Sequence, residues 1–396
     1  MSAPDRPGVG LGVGPRVGPR VGMVGGGQLA RMSAAPAAAL GIDFRVLATS
    51  REESAAQVVA DVFLGAHDDE KAVLAFAEGC DVVTFDHEHV PPPILEKLEA
   101  RGVAVRPGPH ALINAQDKAV MRRTLEGAGA PVPRWQVVES AGQARDFAED
   151  VGYPFILKTS RGGYDGKGVW RIEGADQLTA VMAGDLPPGA QWLAEEAVPF
   201  VQELSAQVAR SPSGQSVAYP IVRTVQADGI CSEVVAPAPG LDSQRAVQAQ
   251  HIALQIAGSL NVTGMLAVEM FDTGSELLVN ELAMRPHNSG HWSIEGAVTS
   301  QFENHLRAVL DLPLGSPVMR SPAAVMVNIL GGDVGDLYSA YRHVFARDPG
   351  VKVHLYGKDV RPGRKVGHVT AVGDDVEDLM ARARHAADYF MGVIDE

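Results

Sequence analysis

Phe155-Ile156-Leu157-Lys158-Thr159-Ser160-Arg161-Gly162-Gly163-Tyr164-Asp165-Gly166-Lys167-Gly168-Val169-Trp170 is the stretch on which the reading of this chain turns. Two apolar runs flank a segment in which four of the seven residues 162–168 are glycine. Apolar runs bounded by glycine-rich turns read as strands, so the pattern predicts a hairpin of 155–159 and 168–172. A loop with so few side chains can lay its backbone N–H groups over a row of phosphates. Lys158, on the strand entering the loop, can reach phosphate oxygens as a point charge. A plain turn needs neither so many glycines nor the lysine.

Working outward, strands at 191–196 and 204–211 follow, with one helix between them and the hairpin. This order predicts one antiparallel sheet with helices on one side, an α+β arrangement. A helix at 117–127, a strand at 135–138 and a helix at 141–151 lead in. A helix at 243–260 and a strand pair at 264–272 and 276–282 lead out. Upstream, VGMVGGGQLARMSAAPAAALGIDFRVLAT (21–49) reads as strand, triple glycine, Ala-rich helix and second strand, one βαβ unit. More such units continue to about 109. Downstream, strands at 323–330 and 352–356 and a helix at 376–389 predict a small closing domain. The expected division is a mobile, low-complexity tail at 1–19, a Rossmann-like α/β domain at 20–110, a central domain at 111–316 and a C-terminal domain at 317–396.

Composition bounds the chemistry. Of 396 residues, 46% are apolar and 21% charged, as in an ordinary globular enzyme. The 48 acidic and 34 basic side chains leave a formal net charge of −14, which disfavours nucleic acid and anionic membranes as partners. A phosphate-bearing small molecule must then be held by local clusters of cations. The two cysteines, Cys80 and Cys231, have no metal-ligand spacing and suit a reduced cytoplasmic protein. No apolar run approaches the ~20 residues of a membrane span, and residues 1–19 are not expected to be a secretory signal.

Several other groups carry candidate chemistry. Gly25-Gly26-Gly27 lies between a strand and a helix, where phosphate can sit at a helix N-terminus. However, Ala30 occupies the last glycine position of the dinucleotide pattern, and the second strand ends at Thr49 without an acidic residue. A tight turn, nicotinamide binding and substrate binding all remain open there. Glu195-Glu196-Ala197-Val198 closes a strand whose backbone could read an adenine edge, with Glu203 available for ribose hydroxyls. Glu269 and Glu281 lie on two strands joined by a short turn, and two hard carboxylates in an apolar setting suit Mg²⁺ bridging phosphates. Lys358, Arg361, Arg364 and Lys365 form the densest cationic stretch, readable as a monophosphate site or as a solvated turn. His287 and His291 have the spacing of a helical zinc pair, but Asn288-Ser289-Gly290 between them argues against a helix. His87-Glu88-His89, running into Pro91-Pro92-Pro93, reads as a strand exit.

Taken in order, the glycine hairpin, Glu195–Val198 with Glu203, and the two carboxylate strands resemble the ATP-grasp superfamily. GGGQLARM (25–32), GGYDGKG (162–168), NELAMRPHNSGHW (280–292) and RPGRKVGH (361–368) narrow the resemblance to the 5-(carboxyamino)imidazole ribonucleotide synthase family over about 21–395. The resemblance implies a Rossmann-like domain, an ATP-grasp domain and a small C-terminal domain. It implies a ligase that carboxylates aminoimidazole ribonucleotide with bicarbonate and ATP in purine biosynthesis, releasing ADP and phosphate, and working as a homodimer. By the same resemblance, ATP falls to Lys118, Lys158, Gly163, Tyr164, Asp165, Gly166, Lys167, Gly168, Val169, Glu195, Glu196, Ala197, Val198, Glu203, Asn280 and Glu281. Mg²⁺ falls to Glu269 and Glu281. The ribonucleotide and the chemical step fall to Tyr164, Asp165, Arg285, His287 and Asn288, with Lys358 and Arg364 on its phosphate. Three positions depart from the family pattern. Met284 stands where Pro is expected, Lys118 where Arg is frequent, and Val222–Gln226 lacks the Asn and His of many members. Competing expectations are a formate-dependent glycinamide ribonucleotide transformylase and a nicotinamide-dependent oxidoreductase.

Overall fold

The computed structural model describes residues 18–163, 167–227 and 229–394. Residues 1–17 of the tail expected at 1–19, and the loop positions Tyr164, Asp165 and Gly166, lie outside the described residues.

The N-terminal domain is a parallel sheet of β1 (Arg20–Val24), β2 (Asp43–Ala48), β3 (Asp61–Leu64), β4 (Val82–Phe85) and β5 (Ala104–Val105), in the order β3-β2-β1-β4-β5. Strands buried on both faces require continuous apolar runs, and Val21, Met23, Val24, Val82, Val83 and Phe85 are 1% exposed or less. The triple glycine makes a tight turn into the helix Gln28–Ala39. The anion at that helix N-terminus is protein-borne: Asp86, at the end of β4, accepts from Gly27 N (3.1 Å) and Ala30 N (2.7 Å). A Cβ at Gly27 would come within 2.1 Å of the Asp86 carboxylate, which is why glycine stands there.

The middle of the chain departs from the single antiparallel sheet expected. Its strands divide between two sheets. One holds β6 (Trp135–Val138), β7 (Phe155–Thr159), β8 (Val169–Ile172) and β9 (Trp192–Glu196), in the order β6-β9-β7-β8. After β9 the segment 197–201 leaves that sheet, and β10 (Gln202–Arg210) joins the other. There it is joined by β11 (Ser216–Ala218), β12 (Val222–Ala227), β13 (Ile230–Ala236), β14 (Gly264–Asp272), β15 (Leu277–Ala283), β16 (Ala323–Leu330), β17 (Lys352–Leu355) and β18 (Lys365–Gly373). The order is β15-β14-β10-β12-β13-β16-β18-β17, with β11 on β10. Periodicity shows that a strand exists but not which partner it takes, so the division was not readable. The C-terminal domain is continuous with this large sheet, because β16 pairs with β13.

Three contacts seat the N-terminal domain on the large sheet. Buried His305, on the helix Gln301–Val309, accepts from Met265 N on β14 through Nδ1 (3.1 Å), so Nε2 donates to Thr84 Oγ1 on β4 (2.8 Å). Arg106 donates to Val309 O at 2.6 Å. Ser54 and Gln57 hold the carbonyls of Tyr356 and Gly357, fixing the C-terminal domain to the N-terminal one.

Gly27→Ala should lower stability by about 1–3 kcal/mol, by displacing the Asp86 cap. Gly258, exposed in the helix Ser243–Ser259 with nothing within 4 Å of its Cβ position, should instead gain about 0.5–1 kcal/mol on replacement by Ala. Urea midpoints of the two variants, moving in opposite directions from the parent protein, check both.

Candidate active site

One cleft of about 1420 Å³ runs between the small sheet, the large sheet and both flanking domains. Every described residue assigned above to a ligand lines it except Gly168, whose left-handed φ of +72° instead shapes the loop exit.

The carboxylates come from neighbouring strands. Glu269 on β14 lies directly opposite Glu281 on β15. Immediately beside this pair the register shifts, so that Met270 faces Val279 and Asn280 is left as the extra residue. A bulge breaks the alternation of sides along a strand, which lets consecutive Asn280 and Glu281 both line the cleft. Burial, then the Glu281 and Glu203 carboxylates, push the Glu269 carboxyl up to about 8. Burial also opposes ionisation of Glu281, but the Lys118 ammonium at 2.7 Å wins and holds it below the usual range. Two carboxylates facing each other over open space fit a divalent cation. Mg²⁺ characteristically uses one or two carboxylates and completes its shell with water and phosphate.

Lys118 and Lys158 arrive from different elements. Asp117 caps the helix Lys118–Gly127 through Ala119 N and Val120 N, and its second oxygen takes Arg161 at 2.7 Å, tying the glycine loop's base to the helix. Lys158 Nζ lies 2.6 Å from Glu195 and 3.4 Å from Asn280 Oδ1. Glu195 therefore has its carboxylate already engaged by protein cations. Its side chain is 3% exposed and shared between Lys158 and Arg122 Nε (2.7 Å). Burial opposes this charge too, yet the two cations hold the Glu195 carboxyl at about 2. Burial pushes the Lys158 ammonium down against the pull of Glu195, and the like charge of Arg122 adds to the lowering. Arg122 is wholly buried and was not singled out in the sequence, where it is one basic residue of an Arg-Arg pair. Glu196 is bound to Arg134 at 2.7 Å, leaving the 196–198 strand end and Glu203 facing the cleft, near the stacked rings of Phe200 and Phe271.

At the other end, Arg285 pairs with Glu88 of the N-terminal domain at 2.8 Å, which gives the His87-Glu88-His89 exit a function in the site. Lys358 reaches Gln28 Oε1 at 2.5 Å and lies 5.7 Å from the Tyr356 ring centre. Arg361, Arg364 and Lys365 line the same end. Asn288 is buried in the cleft wall. His287 has Glu269 Oε1 3.7 Å from Nε2, and burial, Arg285 and Lys365 push its pKa down to about 3. Contrary to expectation, Asn288–Gly290 does form a turn of 3₁₀ helix. His291 is held inside by Gln301 Nε2 (3.0 Å), away from the cleft. Neither Cys80 nor Cys231 is in a disulfide, and among the described residues no helix is long and apolar enough to cross a membrane.

A two-lobed nucleotide cleft, with facing carboxylates on one lobe and a lysine-flanked glycine loop on the other, defines an ATP-grasp enzyme. The ATP-grasp domain family matches residues 123–302, the ribonucleotide synthetase preATP-grasp domain 19–116 and the phosphoribosylaminoimidazole carboxylase C-terminal domain 324–382. The N5-carboxyaminoimidazole ribonucleotide synthase of Mycobacterium tuberculosis is 52% identical, over 93% of this chain and 86% of its own. The crystal structure of the Thermus thermophilus synthetase is 38% identical, with a TM-score of 0.83 over 95% of this chain and 99% of that one. That of the Aspergillus clavatus synthase, in complex with ADP and 5-aminoimidazole ribonucleotide, is 32% identical, with a TM-score of 0.85 over 94% and 98%. The chain belongs to the N5-carboxyaminoimidazole ribonucleotide synthase family.

Arg122→Met leaves Glu195 with one cation and should destabilise the fold by about 3–5 kcal/mol. Pairing it with Glu195→Gln should recover much of that loss. A double-mutant cycle on urea midpoints that finds the two changes additive would refute the coupling.

Proposed function

We propose that this protein joins bicarbonate to the exocyclic amine of 5-aminoimidazole ribonucleotide at the expense of ATP, giving the N-carboxylated ribonucleotide, ADP and phosphate. The observation that carries it is the separation of cations within an acidic protein. Lys118 and Lys158 stand at the carboxylate pair, while Lys358, Arg361, Arg364 and Lys365 stand across the same cleft. The first group suits a triphosphate and the second a monophosphate, so two phosphorylated ligands can meet end to end.

In this reading the glycine loop, Lys158 and Lys118 hold the phosphates, the 196–198 strand end takes adenine and Glu203 takes ribose. Glu269 and Glu281 would hold Mg²⁺, which neutralises charge building on the transferred phosphoryl group. Bicarbonate oxygen attacks the γ-phosphorus, the bond to the bridging oxygen of ADP breaks, and carboxyphosphate forms. The amine nitrogen then attacks the carboxyl carbon, the carbon–oxygen bond to phosphate breaks, and the amine gives up a proton. Arg285, His287 and Asn288, with Tyr164 and Asp165 from the loop, fix the amine against that carbon. Alignment is the protein's main contribution, because neither step forms a bond to a side chain. A homodimer in the cytoplasm is proposed on family likeness alone, and light scattering on the purified protein tests the dimer.

Steady-state ADP release should require both bicarbonate and aminoimidazole ribonucleotide, and formate with glycinamide ribonucleotide should not replace them. ATP hydrolysis indifferent to the ribonucleotide would overturn the reading. Glu281→Gln should leave the fold intact and lower turnover about 100- to 1000-fold, the usual loss for a group that stabilises developing charge.

Binding of Mg²⁺–nucleotide should also release protons. Glu269's pKa rises from 4.5 to about 8 in the ligand-free protein, so the carboxyl is protonated between those values and a cation must expel the proton. Calorimetry near pH 7 in buffers of different ionisation enthalpy should show release approaching one proton, with affinity rising toward pH 8. No release would mean that the cation does not use Glu269.

A further inference from the structure

Behind His287, away from the cleft, lies a closed chain of polar side chains. Glu203, Ser205 and Gln207 alternate on one face of β10; Glu203 lines the cleft, while Ser205 and Gln207 are covered. With Ser289 they are 1% exposed or less. Gln207 Nε2 lies 2.7 Å from Ser205 Oγ and 2.9 Å from Ser289 Oγ. The two hydroxyl oxygens are 2.8 Å apart, and Ser289 Oγ is 2.8 Å from His287 Nδ1.

Hydrogens in this chain can be counted. The Gln207 amide nitrogen has two hydrogens and gives one to each hydroxyl oxygen. Among the described residues the one other partner of Ser205 Oγ is Ser289 Oγ, so the Ser205 hydrogen goes there. Both lone pairs of Ser289 are then taken, by Gln207 and Ser205, and its hydrogen must go to His287 Nδ1. The backbone N–H of Ser289 also points at Nδ1, at 3.4 Å. Nδ1 is thus bare and the imidazole proton sits on Nε2, facing Glu269 and the cleft. A proton on Nδ1, in the other tautomer or in the imidazolium, would strand the Ser205 hydrogen in a dry interior. Turning the Gln207 amide round would take both N–H donors off the two hydroxyls and set them where the carbonyl oxygen now lies buried and without a partner.

We propose that Gln207, Ser205 and Ser289 are positioning residues that lock His287 as the Nε2–H tautomer, so that it serves the reaction as a hydrogen-bond donor and not as the base that takes the amine proton. The proposal rests on the reading above only in placing His287 against the substrates. A donor beside Glu269 suits an anionic oxygen of bicarbonate or of the carboxylated product.

The test uses full-length protein carrying ¹⁵N-histidine, with His287 assigned by the signals lost in His287→Gln. Long-range proton–nitrogen correlation should show a bare, pyridine-like Nδ1 and a protonated Nε2. A protonated Nδ1 in the parent protein overturns the proposal whatever the activity. Ser205→Ala should blur that pattern toward exchange between tautomers and lower kcat about tenfold with KM for ATP unchanged. Ser205→Thr, which keeps the hydroxyl, should restore both. An unchanged tautomer and kcat in Ser205→Ala would remove the positioning role. Full turnover in His287→Gln beside the expected nitrogen pattern would sink the substrate contact while leaving the tautomer standing.

Discussion

Two carboxylates face each other across neighbouring strands, and the surrounding structure is arranged around keeping them there. Side chains directly opposite in an antiparallel pair have Cβ atoms only ~5 Å apart, where like charges repel. Here burial adds to that repulsion. Lys118 takes up Glu281, whereas Glu269 has beside it His287, which burial keeps neutral, and the pull of Lys365 and Lys118 does not offset its burial. In the proposed reading that imbalance has a use, since a pair satisfied by protein cations on both sides would leave no place for Mg²⁺.

The same logic explains the buried Arg122. A lysine proposed to hold phosphate has to be charged, oriented and still available, and burial works against its charge. Glu195 supplies the counter-charge, but a lone carboxylate 2.6 Å away would compete with the ligand for Lys158. Arg122 occupies half of that carboxylate through its own bond and fixes its direction through Val279 O. The triad thus joins helix to small sheet, and the bonds of Arg122 to Val279 O and of Lys158 to Asn280 Oδ1 tie it to the large sheet.

Legibility divides along the same line between local and long-range information. The strand–glycine–strand hairpin, the βαβ opening, the facing carboxylates and the basic stretch all announce themselves through spacing within one or two elements, and the structure brings their described members to one cleft. Partners separated by long stretches of chain do not announce themselves. Nothing in ELSAQV at 203–208 distinguishes a polar face covered by Ser289 from one left in solvent, and nothing at Arg122 shows that Glu195 will meet it. The bulge at Asn280 is likewise invisible, because strict alternation would place Asn280 and Glu281 on opposite faces. The Gly25–Gly27 turn is the instructive intermediate case. The sequence left three uses open, and the decision came from Asp86, a residue 59 positions away, which fills the anion site of the helix.

That last point bears on how the N-terminal domain contributes at all. A doubly wound sheet ordinarily binds a dinucleotide where a helix N-terminus meets the strand ends. With Asp86 accepting from Gly27 N and Ala30 N, those helix N–H groups are already taken and are not open to a phosphate. The domain's edge is instead recruited by the cleft, through Gln28 against Lys358 and Glu88 against Arg285. Each contact sets the direction of a cation carried by another domain. The fold therefore keeps the geometry of a nucleotide-binding sheet while spending its polar residues on aiming cations at a ligand held elsewhere. Such a division requires that the three domains keep a fixed relative placement, which the buried His305, Arg106 and Ser54 contacts supply.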